Sequence, residues 1–118
     1  MSDGAVAGSC HCGAVSFTLT TAPQQVTDCN CSICRRYGTL WAYYPLAQVQ
    51  FGSLPATDTY IWGDRGLTFH RCRTCGCVTH WQALDPTHDR MAINARLLAP
   101  EVLAGASVKF FDGANGDG

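Results

Sequence analysis

The eight cysteines of this 118-residue chain are gathered rather than scattered. They form three clusters: Cys10 and Cys12, then Cys29, Cys31 and Cys34, then Cys72, Cys75 and Cys77. Cysteines two or three residues apart rarely reach disulfide geometry with each other, but their thiolates converge readily on a metal about 2.3 Å from each sulfur. One tight turn then supplies two or three ligands, and a distant turn supplies the rest. The opening segment MSDGAVAG has neither the basic nor the apolar stretch that marks export. The expected compartment is therefore cytoplasmic, where thiols stay reduced, and metal is preferred to a disulfide framework. Zinc is the ion such clusters imply. A redox reading of Cys72-Arg73-Thr74-Cys75 is weaker, because no βαβ pattern surrounds it.

Eight thiols allow two closed four-cysteine sites, or one closed site, one open three-cysteine site and a spare thiol. A closed site is structural, whereas an open position is what catalysis needs. The middle and last clusters, CxCxxC and CxxCxC, are near mirror images. Spacing alone therefore leaves the pairing of clusters open.

The remainder of the chain can bury a core, with 47% hydrophobic and 14% charged residues. Its length fits one domain over residues 1–118, with an ordered core at about 8–112 and mobile Gly-rich ends. Eight basic residues against nine acidic ones leave no surplus to hold a phosphate backbone, so nucleic acid is excluded as a partner. No apolar run approaches the roughly 18 residues of a membrane span.

Between the ends the hydrophobic period is mostly two. Residues 14–20 alternate, with Val15, Phe17 and Leu19 on one face and Ser16, Thr18 and Thr20 on the other. Short strands are also expected over 40–44, 59–62, 67–71, 77–81, 91–95 and 108–111, separated by turn signals at Pro45, Gly52, Pro55, Gly63-Asp64, Gly66 and Asp85-Pro86. Helix is scarce: one short helix over 32–37, with Ser32 as N-cap and Gly38 as its stop, and a turn over 100–103 opened by Pro100. The pattern predicts a mainly β domain of short antiparallel strands with its cysteine clusters in turns.

With their flanks, the clusters read GSCHCGAVSF at 8–17, DCNCSICRRYG at 28–38 and HRCRTCGCVTHW at 70–81. In this order they resemble the family of glutathione-dependent formaldehyde-activating enzymes and centromere protein V, as does the late segment RMAINARLL. The resemblance runs from about Gly8 to Phe111. It implies a small zinc-binding β-tent fold with two zinc ions per chain. Carried over position by position, Cys10, Cys12, Cys72 and Cys75 form a closed structural site. Cys29, Cys31 and Cys34 then form a second, open site where the chemistry takes place. Cys77 is left as a spare thiol, read as a small buried residue at the start of a strand.

The resemblance also implies a reaction. A zinc-dependent carbon–sulfur lyase would handle a thiol–aldehyde adduct of the S-hydroxymethylglutathione type, with a small-molecule thiol such as glutathione and an aldehyde as partners. The alternative is a zinc-stabilised β-tent scaffold or binding module with both sites closed, the second by recruiting Cys77. Arg35 and Arg36, directly after the last ligand of the middle cluster, are candidates to bind a substrate carboxylate through their planar forks. Asn94 is a candidate donor to a substrate oxygen. His70 and His80 are weaker candidates for a general acid, with a supporting or surface role preferred. Arg71 and Arg73 flank Cys72 and are expected to screen its thiolate. The aromatic residues Trp41, Tyr43, Tyr44, Tyr60, Trp62 and Trp81 are read chiefly as core, with Trp41 and Tyr43 candidates to line a cleft over the second site.

Overall fold

The computed structural model describes residues 5–52, 57–63 and 66–114. Residues 1–4 and 115–118, where mobile ends were expected, lie outside the described residues, as do the turn signals at Pro55 and Asp64. The chain is mainly β. In order it forms β1 (Val6–Ser9), β2 (Ser16–Leu19), β3 (Gln25–Cys29), the helix α1 (Ser32–Tyr37), β4 (Trp41–Tyr44), β5 (Val49–Phe51), β6 (Thr57–Tyr60), β7 (Leu67–Cys72), β8 (Val78–Ala83), β9 (Met91–Asn94), the helix α2 (Pro100–Ala104) and β10 (Ser107–Phe111). Each strand expected from the period-two pattern is present. β1, β3 and β5 were not foreseen, because at three to five residues they are too short or too polar to show alternation.

Two sheets are built from these strands. A three-stranded sheet has the order β1-β2-β5, and a seven-stranded sheet the order β10-β3-β4-β9-β8-β7-β6. Among the described residues all strand pairings are antiparallel except one. β10 runs parallel to β3, with Val108 beside Val26 and Phe111 beside Cys29. A parallel neighbour needs a crossover rather than a hairpin, and the chain leaves β9 through α2 before it returns beside β3.

The alternation of side chains gives the large sheet two different faces. On one face Val26, Ala42, Tyr44, Met91 and Ile93 meet Phe17 and Leu19 of the small sheet, and this is the main core. On the other face Trp41, Phe69, Trp81 and Ala92 pack with Cys29 and Cys34. Among the described residues no second sheet covers that face. α1 stands at its rim, and its backbone reverses at Gly38 (φ 67°), a left-handed position that glycine adopts without Cβ strain. The N-cap of α1 is Cys31 rather than Ser32, because the Cys31 sulfur accepts from the Cys34 amide at 3.5 Å.

His80 lies on the core face and is fully buried, with its Nδ1 2.8 Å from the Thr79 hydroxyl. Its ring stacks on His70 at 4.2 Å and 12°, and Phe51 lies 4.7 Å away. Burial, with the neighbouring His70 charge, depresses the His80 pKa to about 3. An unfolded histidine titrates near 6.5, so between the two values the unfolded chain binds a proton that the folded chain refuses. The resulting stability is complete above about pH 6.5 and is lost as pH falls toward 3, by about 1.4 kcal/mol per pH unit for one such proton. His80→Phe keeps the stacked ring and removes the proton site. Urea unfolding between pH 7 and 5 is expected to show a flatter loss of stability in this variant than in the parent, by about one proton; equal slopes would refute the assignment.

Candidate metal centre

The first cluster joins two distant turns. Cys10 follows β1, and Cys12 lies in the turn that leads to β2. Cys72 ends β7, and Cys75 lies in the turn to β8, which is closed by hydrogen bonds from the Cys72 amide to the Cys77 carbonyl (2.8 Å) and from the Gly76 amide to the Cys72 carbonyl (2.9 Å). The four sulfurs all lie within 4.8 Å of one another. Cys12 Sγ is 3.7 Å from both Cys10 Sγ and Cys72 Sγ. A tetrahedron of thiolates about 2.3 Å from a central zinc has edges of about 3.8 Å, whereas a disulfide would bring two sulfurs to about 2.05 Å. The donor set therefore fits a four-coordinate metal and not a disulfide.

Backbone amides prepare these sulfurs to carry negative charge. The amide of Val15 donates to Cys10 Sγ at 3.3 Å, and those of Thr74 and Cys75 donate to Cys72 Sγ, each at 3.4 Å. The amides of Cys75 and Thr74 pull the Cys72 pKa down. Those of Cys77 and Cys12 hold Cys75 at about 5, well below an ordinary thiol. Arg73 does not screen this charge: its side chain pairs with Asp58 at 3.1 Å and donates to the Thr57 carbonyl, which ties the turn to β6. Cys77 packs against Cys10, Val15 and Cys72, beside the four ligands but not among them.

The second cluster is local. Cys29 ends β3, Cys31 caps α1 and Cys34 lies in the first turn of the helix, with all three sulfurs within 4.8 Å. Among the described residues no fourth Cys, His, Asp or Glu joins them. Amides of Cys31 and Cys34 point at Cys29 Sγ and Cys31 Sγ, each at 3.5 Å, and the Trp41 indole donates to Cys34 Sγ at 3.2 Å. Burial pushes the Cys34 and Cys29 thiols up. Burial opposes ionisation of Cys31 too, but hydrogen bonds from the Cys34 amide and the neighbouring thiols outweigh it and bring that thiol down. Two such clusters could each hold a metal ion.

The chain beyond β10 closes over this cluster. Asn30, between two of the cysteines, donates to Asp112 at 2.9 Å and accepts from the Ala114 amide at 2.9 Å. The segment so held brings Gly113 against the sulfur: a Cβ at that position would lie 2.7 Å from Cys29 Sγ and 3.1 Å from Cys31 Cβ. Glycine is needed there for close approach.

All three cysteines open on a cavity of about 730 Å³ on the uncovered face of the large sheet. Trp41 and Trp81 form its floor, at 1% and 9% exposure, and they meet edge to face at 6.5 Å. Tyr43, Trp62 and Phe111 form more exposed walls. The reading of these aromatic residues chiefly as core therefore holds for Tyr44, whose hydroxyl donates to the Thr21 carbonyl at 2.8 Å, but not for the wall residues. Tyr60 is also exposed.

The candidate substrate residues lie elsewhere. Arg35 and Arg36 are exposed on α1, outside the cavity lining, and Arg36 donates to the Ser32 carbonyl at 2.8 Å. Asn94 is 7% exposed and its amide is engaged by the backbone: Nδ2 donates to the Val78 carbonyl at 2.8 Å, and Oδ1 accepts from the Arg96 and Leu40 amides. It joins β8, β9 and the chain entering β4. His70 and His80 stack together away from the cavity lining. The cations that do line the cavity are Arg90, just before β9, and Lys109 on β10. Neither was foreseen, since Arg90 lies in a loop and the parallel placement of β10 is invisible before the sheet order is known.

Residues 5–112 match the family described as glutathione-dependent formaldehyde-activating enzyme. Among solved structures, the chain is similar to a crystal structure of a Rhodobacter sphaeroides protein at 29% identity and a TM-score of 0.70, over 87% of this chain and 99% of the other.

The two clusters should separate under mutation. Cys72→Ser is expected to cost one equivalent of bound metal and the folded state together, because structural zinc contributes on the order of 10 kcal/mol to small domains. Gly113→Ala is expected to weaken metal uptake at the second cluster alone by at least tenfold, with the strand circular dichroism unchanged. Metal counted by mass spectrometry against competing chelator checks both; a Gly113→Ala chain with parental retention would refute the close-approach argument.

Proposed function

The chain belongs to the glutathione-dependent formaldehyde-activating enzyme family, and on that premise we propose that it is a cytoplasmic, zinc-dependent carbon–sulfur lyase. Its substrate would be a thiol–aldehyde adduct of the S-hydroxymethylglutathione type, and its partners a small thiol such as glutathione and an aldehyde. Cys10, Cys12, Cys72 and Cys75 would hold a structural zinc, and Cys29, Cys31 and Cys34 a second one. Bound there, zinc would keep an incoming sulfur as the thiolate at neutral pH.

The observation that carries this reading is the asymmetry of the two clusters. The four-cysteine set is closed, whereas the three-cysteine set faces a cavity large enough for a small substrate. A scaffold module would need to close the second set, and the thiol available for that, Cys77, packs beside the first. In the breakdown direction the adduct's carbon–sulfur bond breaks with its electron pair going to sulfur. The adduct hydroxyl gives up its proton, which ends on the departing sulfur, and becomes the carbonyl oxygen, so thiol and aldehyde leave and no other reactant is consumed. The chain's own residues orient this event. Cys29, Cys31 and Cys34 fix where sulfur sits, and the Trp41 indole tempers the charge on Cys34. Tyr43 lines the same cavity, its apolar surroundings push its hydroxyl toward the neutral form, and it would donate to the substrate oxygen. Among the described residues no helix is long and apolar enough to cross a membrane.

Hemithioacetal breakdown followed with several thiols is expected to run above the uncatalysed rate in the zinc-loaded protein. Cys31→Ser should reduce that rate at least 100-fold while the four-cysteine site keeps its metal. No acceleration with any thiol, with both sites loaded, would overturn the reading.

A further inference from the structure

The lining of the cavity is unlike what a peptide thiol would ask for. Every tryptophan of the chain is there: Trp41, Trp62 and Trp81 are the three the sequence contains. Phe69, Tyr43 and Phe111 add aromatic surface. The arrangement follows from register: Ala92 pairs across from both Tyr43 and Trp81, and over its small side chain the two rings meet edge to face at 6.0 Å. The result is a slot walled by ring faces and edges, with Ile33 and Leu67 completing it. Such walls favour an apolar, flat body. They offer few partners for the amides and charges of a tripeptide, which would lose water without replacing it.

Two cations break the apolar lining. The Arg90 guanidinium lies over the Tyr43 ring, 4.3 Å from its centre, which holds the charge at the cavity without neutralising it. Lys109 enters from β10. Among the described residues the ion pairs are Arg73 with Asp58 and His88 with Asp85, and neither Arg90 nor Lys109 is in one. Cations standing beside aromatic walls and paired with no carboxylate of the described residues leave room for a ligand anion.

We infer that the cavity is a binding site for an aryl carboxylate: a substrate with an aromatic body seated among Trp41, Trp62 and Trp81 and a single anionic group held by Arg90 and Lys109. This rests on the lyase reading only for what happens at sulfur, and within that reading it puts an aromatic thiol acid in the place of glutathione. The adduct handled at Cys29, Cys31 and Cys34 then carries its aromatic acid on the half that occupies the cavity, and its specificity comes from that half.

Because all three tryptophans line the cavity, intrinsic fluorescence reports its occupancy directly. The zinc-loaded full chain is titrated with 3-phenylpropanoate, its neutral analogue 3-phenylpropanol, glutathione, and 2-mercapto-3-phenylpropanoate. The expected order is the mercapto acid tightest, then 3-phenylpropanoate, with the alcohol and glutathione each at least tenfold weaker than 3-phenylpropanoate. In the double variant Arg90→Gln with Lys109→Gln, 3-phenylpropanoate should weaken at least tenfold and the alcohol less than twofold. Trp62→Ala, on the exposed wall, should weaken both phenyl ligands together. Glutathione binding as tightly as 3-phenylpropanoate, or equal loss of acid and alcohol in the double variant, would overturn the inference. The lyase reading fails separately: 3-phenylpropanoate has no sulfur and would still bind, while the mercapto acid would gain nothing over it and Cys31→Ser would change neither.

Discussion

The convergence of four sulfurs from two turns is the constraint on which the rest of this molecule depends. Cys12 and Cys72 are 60 residues apart in sequence, yet their sulfurs stand 3.7 Å apart. Strands of three to six residues bury little area each, and the small sheet touches the large one through a modest set of side chains. A chain of this size can hold such strands in place when a metal or other cross-link removes much of the freedom of the unfolded state. The cluster does this at a useful point. It fastens the turn between β1 and β2 to the turn between β7 and β8, so the edge of one sheet is tied to the interior of the other. Amides of the same turns already aim at the sulfurs, which lowers the cost of gathering charge there.

Once that tie is made, the alternation of side chains settles where chemistry is possible. Each strand of the large sheet presents one set of residues to the small sheet and the other set outward. Ala42 and Tyr44 go inward, while Trp41 and Tyr43 go outward. The inward set is sealed. The outward set is too aromatic to be an ordinary solvated face, and among the described residues α1, the Trp62-Gly63 connection and the end of β10 stand at its margins. The second cysteine cluster stands at that margin because β3 ends there and α1 begins there. A strand end and a helix N-cap supply all three ligands within six residues, and the segment after β10 closes over them from the far end of the chain.

The sequence disclosed the parts whose information is local. Val15, Phe17 and Leu19 announce a strand by alternation, Gly38 announces the end of α1, and the cysteine clusters announce turns. The convergence of the two outer clusters is now a matter of distance, although from spacing alone their pairing was open. What stayed hidden depends on partners far away in the chain. β3 has no clean alternation of its own and exists because β4 and β10 flank it. Asn94 looks like a polar group on a strand, but three backbone partners, two of them from other segments, consume its amide. Arg35 and Arg36 sit beside ligands in sequence, and the helix turns them away to solvent. Arg90 and Lys109 sit beside nothing suggestive in sequence, and the sheet order brings them to the cavity.

The burial of the second cluster has a consequence for its reactivity. An apolar wall raises the energy of a bare thiolate, and Cys34 and Cys29 accordingly resist ionisation. The same wall excludes water and strengthens every directed charge interaction that does form, including the indole of Trp41 on Cys34. Such a site is poorly suited to hold negative charge alone and well suited to hold it against a cation. A metal would supply that cation at the sulfurs, and Arg90 and Lys109 supply it for whatever anion enters the cavity. Aromatic surface therefore does two things with one set of residues. It selects an occupant by shape and polarity, and it makes the charges at both ends of that occupant count for more than they would in water.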